Sequence, residues 1–225
     1  METHIFANRV FTELSTQLVR AFDAIYSGWI LWNLFLAFIP LALSFWLFRH
    51  KTRSRSLVWW IVFIVFVAFL PNAPYVLTDI IHLIRGIRPG LSPWVITLFV
   101  IPVHLFAMLI GFEAYVVSLI NQGYYLRRQG ARQFVIWGEL IAHVLCAVGV
   151  YLGRFRRFNS WDLVTEPGSV LLRTVNDLTE RRPLFVVFII FIILTIFYWI
   201  MKQLTLGLVL RIHYARARVD IDQYL

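Results

Sequence analysis

Five stretches of this chain are long and apolar enough to need a bilayer around them. They are residues 29–48, 57–70, 93–119, 134–151 and 183–202. An upright helix needs about 20 apolar residues to cross a hydrocarbon core of about 30 Å. Soluble folds do not supply that many uncharged runs, and their apolar fraction stays nearer about 45–50%. Here it is 60%, with a mean hydropathy of +0.74. The expected fold is an all-α integral membrane protein. It has about five transmembrane helices, an N-terminal amphipathic helix, and a short re-entrant or interfacial helix after the second span.

In residues 5–26, Ile5, Phe6, Val10, Leu14, Leu18, Phe22 and Ile25 recur at helical spacing with charges between them. That pattern predicts a helix lying along the membrane interface. Glu2, Arg9, Glu13, Arg20 and Asp23 leave residues 1–27 without the apolar core of a signal peptide. The expected division is 1–28 as the amphipathic segment, 29–203 as a single transmembrane domain, and 204–225 as a basic tail.

The net charge of +9 falls mostly in loops, as topology and anionic lipids require, so a nucleic-acid partner is not expected. Arg49, Lys51, Arg53 and Arg55 crowd one short loop, and Arg127, Arg128 and Arg132 another. Both read as cytoplasmic. The preferred topology is a multi-pass protein of the cell membrane with the N-terminus outside and the C-terminus in the cytoplasm. The segment 153–182 disagrees, because it carries six arginines on the side expected to be outside. Cys146, the single cysteine, lies within an apolar run and allows no intrachain disulfide.

The second span is expected to end near Leu70, because Pro71 disfavours helical geometry before it. Residues 57–70 would then rise only about 21 Å. Either the bilayer thins there, or the PNAP turn lies below the membrane surface in a cavity. Asn72 is placed to cap a following short helix with Pro74 in its first turn. Tyr75, Asp79, His82 and Gly86 share one stripe of that helix, flanked by Thr78 and Arg85. The third span looks too long to stand upright, and Pro102 and Gly111 are the expected bends.

Two groups of residues can carry chemistry. The second and fourth spans run in the same direction, so the segments after them emerge on one face. That brings Asn72, Tyr75, Asp79 and His82 toward Arg154, Arg157, Asn159, Trp161 and Asp162. Asp79 and His82, with Asp162, are candidate acid/base residues, and the first two also have metal-ligand spacing. Arg154 and Arg157 can clamp a phosphate or carboxylate headgroup. Asn72, Tyr75, Asn159 and Trp161 are the other ligand-binding candidates. The plainer alternative is a set of fold-stabilising ion pairs and caps. The second group is His104, Glu113, Glu139 and His143, set within spans as a buried polar relay or as hydrogen-bonded pairs between helices. P-loop, G-x-G-x-x-G, H-E-x-x-H and G-x-S-x-G motifs are absent, and no motif names a cofactor.

The segments FLPNAPYVLTDIIHL (69–83) and YLGRFRRFNSWDL (151–163) together resemble the signatures of an uncharacterised bacterial family of multi-pass membrane proteins, domain-of-unknown-function family thirteen sixty-one. The resemblance covers residues 36–199. It implies a bacterial inner-membrane protein with polar motifs at Asn72, Asp79, His82, Arg154, Asn159, Trp161 and Asp162, and carries no activity. Three functions fit this sequence. One is a protein that binds an anionic lipid or phosphate-bearing headgroup in an outward cavity, with or without catalysis. Another is a proton- or ion-coupled transporter. The third is a non-catalytic subunit contacting a membrane protein partner.

Overall fold

A computed structural model describes residues 12–13, 15–16, 19, 29–50, 55–87, 91–158 and 162–216. The expected N-terminal helix lies mostly outside the described residues. The described ones there, 12–13, 15–16 and 19, are helical and exposed. The rest is helical nearly throughout: α1 (Trp29–Arg49), α2 (Leu57–Phe69), α3 (Asn72–Tyr75), a 3-10 turn (Val76–Asp79), α4 (Ile80–Gly86), α5 (Pro93–Arg128), α6 (Val135–Phe155), α7 (Asp162–Thr165), α8 (Pro167–Thr179) and α9 (Arg181–Arg216). Among the described residues, five helical stretches are long and apolar enough to cross a membrane. Their outward faces expose Ile64, Phe106, Phe188 and Trp199, side chains suited to lipid rather than water. The chain is an all-α, multi-pass integral membrane protein.

α2 ends at Phe69 with Leu70 as its cap, as the following proline predicts, but the course of the chain past it and the ends of the third and fifth spans differ from expectation. Leu70 keeps right-handed helical dihedrals (φ −53°, ψ −39°) despite the proline after it, and Pro71 follows suit (φ −62°, ψ −21°). The two prolines remove donors without turning the chain aside. Leu70 O loses the Pro74 N–H and accepts instead from Ala73 N at 3.2 Å. Phe69 O, which that diversion leaves empty, accepts from the Asn72 side-chain amide at 3.0 Å. Asn72 therefore closes the end of α2 instead of capping the start of α3. The run Leu57–Asp79 is 23 residues, or about 35 Å at helical rise, and no thinning of the bilayer is needed.

The third span runs to Arg128 and the fifth to Arg216, each 36 residues. In α5 the stretch Ile96–Val100 is π-helical. Pro102 has no N–H for Leu98 O and its ring would crowd that carbonyl, which the wider turn relieves. α9 carries the helix through residues 204–216, the first half of the expected tail.

α1 packs chiefly on α5, and α6 on α9. Phe48, Phe66, Phe112, Tyr115 and Leu119 form the centre of the main core. Gly111 lets the 3-10 turn press on α5, since a Cβ there would sit 2.9 Å from Val76 Cγ2.

Candidate functional site

The PNAPYVLTD segment is seated against α6 by two glycines. A Cβ on Gly149 would lie 2.6 Å from Pro71 Cβ, and one on Gly153 would lie 2.9 Å from the Tyr75 ring. Any side chain at either position would push the two motifs apart. Their contact brings the next residue, Arg154, directly over the segment.

Arg154 is held on three sides. Its Nε and Nη2 donate to Thr78 Oγ1 at 3.0 and 2.5 Å, and Nη2 also donates to Asp79 Oδ1 at 3.1 Å. The Tyr75 ring lies under the guanidinium, 4.9 Å from centroid to Cζ. Thr78 completes its own hydrogen bonding by donating to Tyr75 O at 2.6 Å. On the far side, Asn33 Nδ2 donates to Asp79 Oδ2 at 2.7 Å. Asp79 is only 3% exposed. A carboxylate at that burial is tolerated because both oxygens are bonded and an arginine is paired with it. Nη1 of Arg154 has no partner among the described residues.

Beside this cluster lies a cavity of about 730 Å³. Its lining includes the polar side chains of Asn33, Asn72, Tyr75, Arg154 and Arg157 and the apolar ones of Trp32, Leu36, Phe155 and Phe158. The volume lies within the range of small-ligand sites, about 300–1,000 Å³. Arg157 is exposed and has a positive φ of 58°, an uncommon conformation for a residue with a side chain. It has no hydrogen-bond or ion-pair partner among the described residues. Its neighbours are anchored. Arg156 makes a two-pronged pair with Asp177 of α8, with Nε 2.7 Å from Oδ2, and that carboxylate's hydrogen bond and charge push the Arg156 guanidinium still further above its usual range. Arg173 of α8 stacks over Phe158 at 5.6 Å. So α8 is tied to the segment that turns Arg157 into the cavity.

Among the deeper polar residues, Glu139 and His143 share one cluster, since Lys202, the partner of Glu139, lies 5.3 Å over the Tyr198 ring that packs on His143, while His104 and Glu113 bond elsewhere. His104 Nδ1 bonds Val100 O, one turn back, at 2.8 Å, and its side chain borders the small space behind Asp79. Tyr115 Oη lies 2.5 Å from His143 Nδ1, with the Tyr198 ring 4.7 Å from the His143 ring. Glu139 pairs with Lys202 at 2.5 Å. Glu113 accepts from Thr205 Oγ1 at 2.7 Å. The fifth span thus supplies Tyr198, Lys202 and Thr205, which sequence reasoning missed. Lys202 falls at the end of the apolar run, where a lysine reads as a boundary marker.

Of the surface candidates, Asn72, Tyr75, Arg154 and Arg157 line the cavity together, and Asp79 stands behind Arg154. His82 lies in α4, one turn past Asp79. Asp162 opens α7. Asn159 and Trp161 lie outside the described residues. Thr78 was legible only as a flank of the stripe, and Asn33 is a polar residue within an apolar span. Among the described residues, no three His, Cys, Asp or Glu side chains converge as a metal ion would need.

The family described as Protein of unknown function (DUF1361) matches residues 32–196, most of the chain and both motifs, and the chain belongs to it. No curated protein and no solved structure matches the chain.

Proposed function

We propose that this family member binds a phosphate-bearing amphiphile in the cavity between α1, α3 and α6. The observation that carries the reading is Arg157: a charged side chain in a strained backbone conformation, without a partner among the described residues, bordering a cavity whose lining is also aromatic and aliphatic. Strained conformations persist where surrounding structure enforces them, and they gather at ligand sites. Arg154 presents its remaining N–H groups to the same space. Asp79 and Asn33 act as positioning residues that keep Arg154 from swinging away. The anion would sit between the two guanidiniums, with its hydrocarbon part along Trp32, Leu36, Phe155 and Phe158.

On the same reading the cavity faces the outer side of the cell membrane, because the acid-free arginine loops 49–56 and 123–133 lie at the other end. His82 and Asp162 are the candidates for any acid/base step on the bound headgroup.

The test is calorimetric titration of the purified full chain in neutral detergent. The probes are lysophosphatidic acid and the matching monoacylglycerol, which lacks the phosphate. The phosphate form should bind preferentially. Arg157→Gln should weaken it on the order of tenfold, as for loss of one hydrogen bond between charged groups. Equal binding of the two probes, or an unchanged affinity in the variant, would refute the reading.

A further inference from the structure

The opposite end of the bundle holds a second set of arginines, and these have no carboxylates among the described residues. Arg49 donates from Nε to Asn121 Oδ1 at 2.7 Å and stacks over Tyr124 at 4.4 Å. Asn121 is fully buried and is held in turn by its bond to Ser44 Oγ at 3.0 Å. Arg128 approaches the same Tyr124 ring at 5.7 Å. Arg55 donates to Tyr125 Oη at 3.0 Å. None of the three is ion-paired among the described residues, whereas Arg154, Arg156 and Lys202 each have a carboxylate.

Guanidiniums brought together by neutral partners leave their charge uncompensated. Two of them approach one ring, which leaves two positive charges near each other for an anion to neutralise. Next to Arg49 and His50, an open groove of about 660 Å³ is floored by Ala42, Phe45 and Trp46 of α1. Phe45 and Trp46 are both exposed there. Arg49, held by Asn121 and bordering this apolar groove at the end of a membrane span, with Arg128 approaching the same tyrosine, matches a diacyl lipid seen from the side: phosphate at the interface, acyl chain below it.

We propose that Arg49 and Arg128, gathered on Tyr124, hold the phosphate of an anionic phospholipid from this leaflet, with an acyl chain along Ala42, Phe45 and Trp46. The site lies sixteen residues along α1 from Asn33, about 24 Å away, and is independent of the cavity beside Arg154.

Native mass spectrometry of the full chain released from neutral detergent tests this, with palmitoyl-oleoyl phosphatidylglycerol or phosphatidylcholine added. Phosphatidylglycerol should be retained selectively. Arg128→Gln, whose ring contact is peripheral, should lower retention about tenfold, as for loss of one hydrogen bond between charged groups. Arg49→Gln should do the same where it folds, and if it does not fold, the Arg128→Gln result decides. Arg132→Gln, exposed at the same end, should change nothing. Equal retention of the two lipids overturns the site. So does an Arg132→Gln effect as large as that of Arg128→Gln, which would mean diffuse attraction, or displacement of the lipid by inorganic phosphate, which would mean a soluble anion.

Discussion

The Arg154 guanidinium lies 3.1 Å from the Asp79 carboxylate, a residue 75 positions earlier in the chain. This one contact joins the ends of the second and fourth spans, and it leaves Asp79 sealed and Arg154 at the edge of the cavity.

Asp79→Asn keeps the shape and the Asn33 contact but removes the counter-charge of Arg154. Breaking a buried pair by removing one partner costs about 3–5 kcal/mol. Arg154 is 22% exposed, so the lower end of that range is expected. Thermal unfolding of the single variants and of Asp79→Asn/Arg154→Gln forms a double-mutant cycle. The double variant should lose less than the sum of the singles, and strict additivity would show that the two charges do not support each other.

Gly149→Ala should destabilise by about 1–3 kcal/mol, the usual cost of overpacking, because its Cβ would meet Pro71 at 2.6 Å. Gly168→Ala, in α8 with nothing within 4 Å, should be neutral or stabilising by up to about 1 kcal/mol. Chemical denaturation in mild detergent separates the two, and equal effects would contradict the close seating of α6 on the PNAP segment.

Arg156→Gln should release α8 from the end of α6. The readout is amide hydrogen exchange. Amides of residues 170–179 should exchange faster, while those in the middle of α9 stay protected. Unchanged exchange in α8 would mean that Val170 and the other packing contacts hold it without the Asp177 pair.

Glu139→Gln should leave Lys202 with no carboxylate partner at 17% exposure, lowering stability by about 3 kcal/mol. Adding Lys202→Met should recover most of that loss, since a neutral pair of similar volume is often as stable as the ion pair it replaces. A double variant no better than Glu139→Gln alone would give Lys202 a role beyond pairing.

The spans and both polar motifs were legible because hydropathy and helical spacing are local properties. The convergence of Asn72, Tyr75 and Asp79 with Arg154 and Arg157 was also readable, from the parallel run of the second and fourth spans. α2 stops at Phe69 with Leu70 as its cap, as expected, but the chain is not turned aside there, because proline rules describe the removed hydrogen bond and not its replacement. Only the fold shows Ala73 N and the Asn72 amide taking over the two stranded carbonyls. The buried residues His104, Glu113, Glu139 and His143 look like one relay in sequence because all four lie within spans, two of them near the midplane. Glu139 and His143 do meet, around Lys202 and Tyr198 of the fifth span, while His104 and Glu113 bond elsewhere; which residues meet is set by packing, not by spacing along one chain.

The class of protein, the number of crossings and the two segments that carry its polar chemistry thus follow from the chain alone. Each rests on a length, a composition or a period that a helix expresses without its neighbours. Which charges meet is a property of the folded bundle. Asp79 faces Arg154, Asp177 faces Arg156 and Glu139 faces Lys202, while Arg157 and the Tyr124 arginines face none among the described residues. Pairing depends on how closely helices approach and how they are turned, and Gly149 and Gly153 set that where α6 meets Pro71 and Tyr75. The charges left over after that pairing mark where this protein has room for an anion.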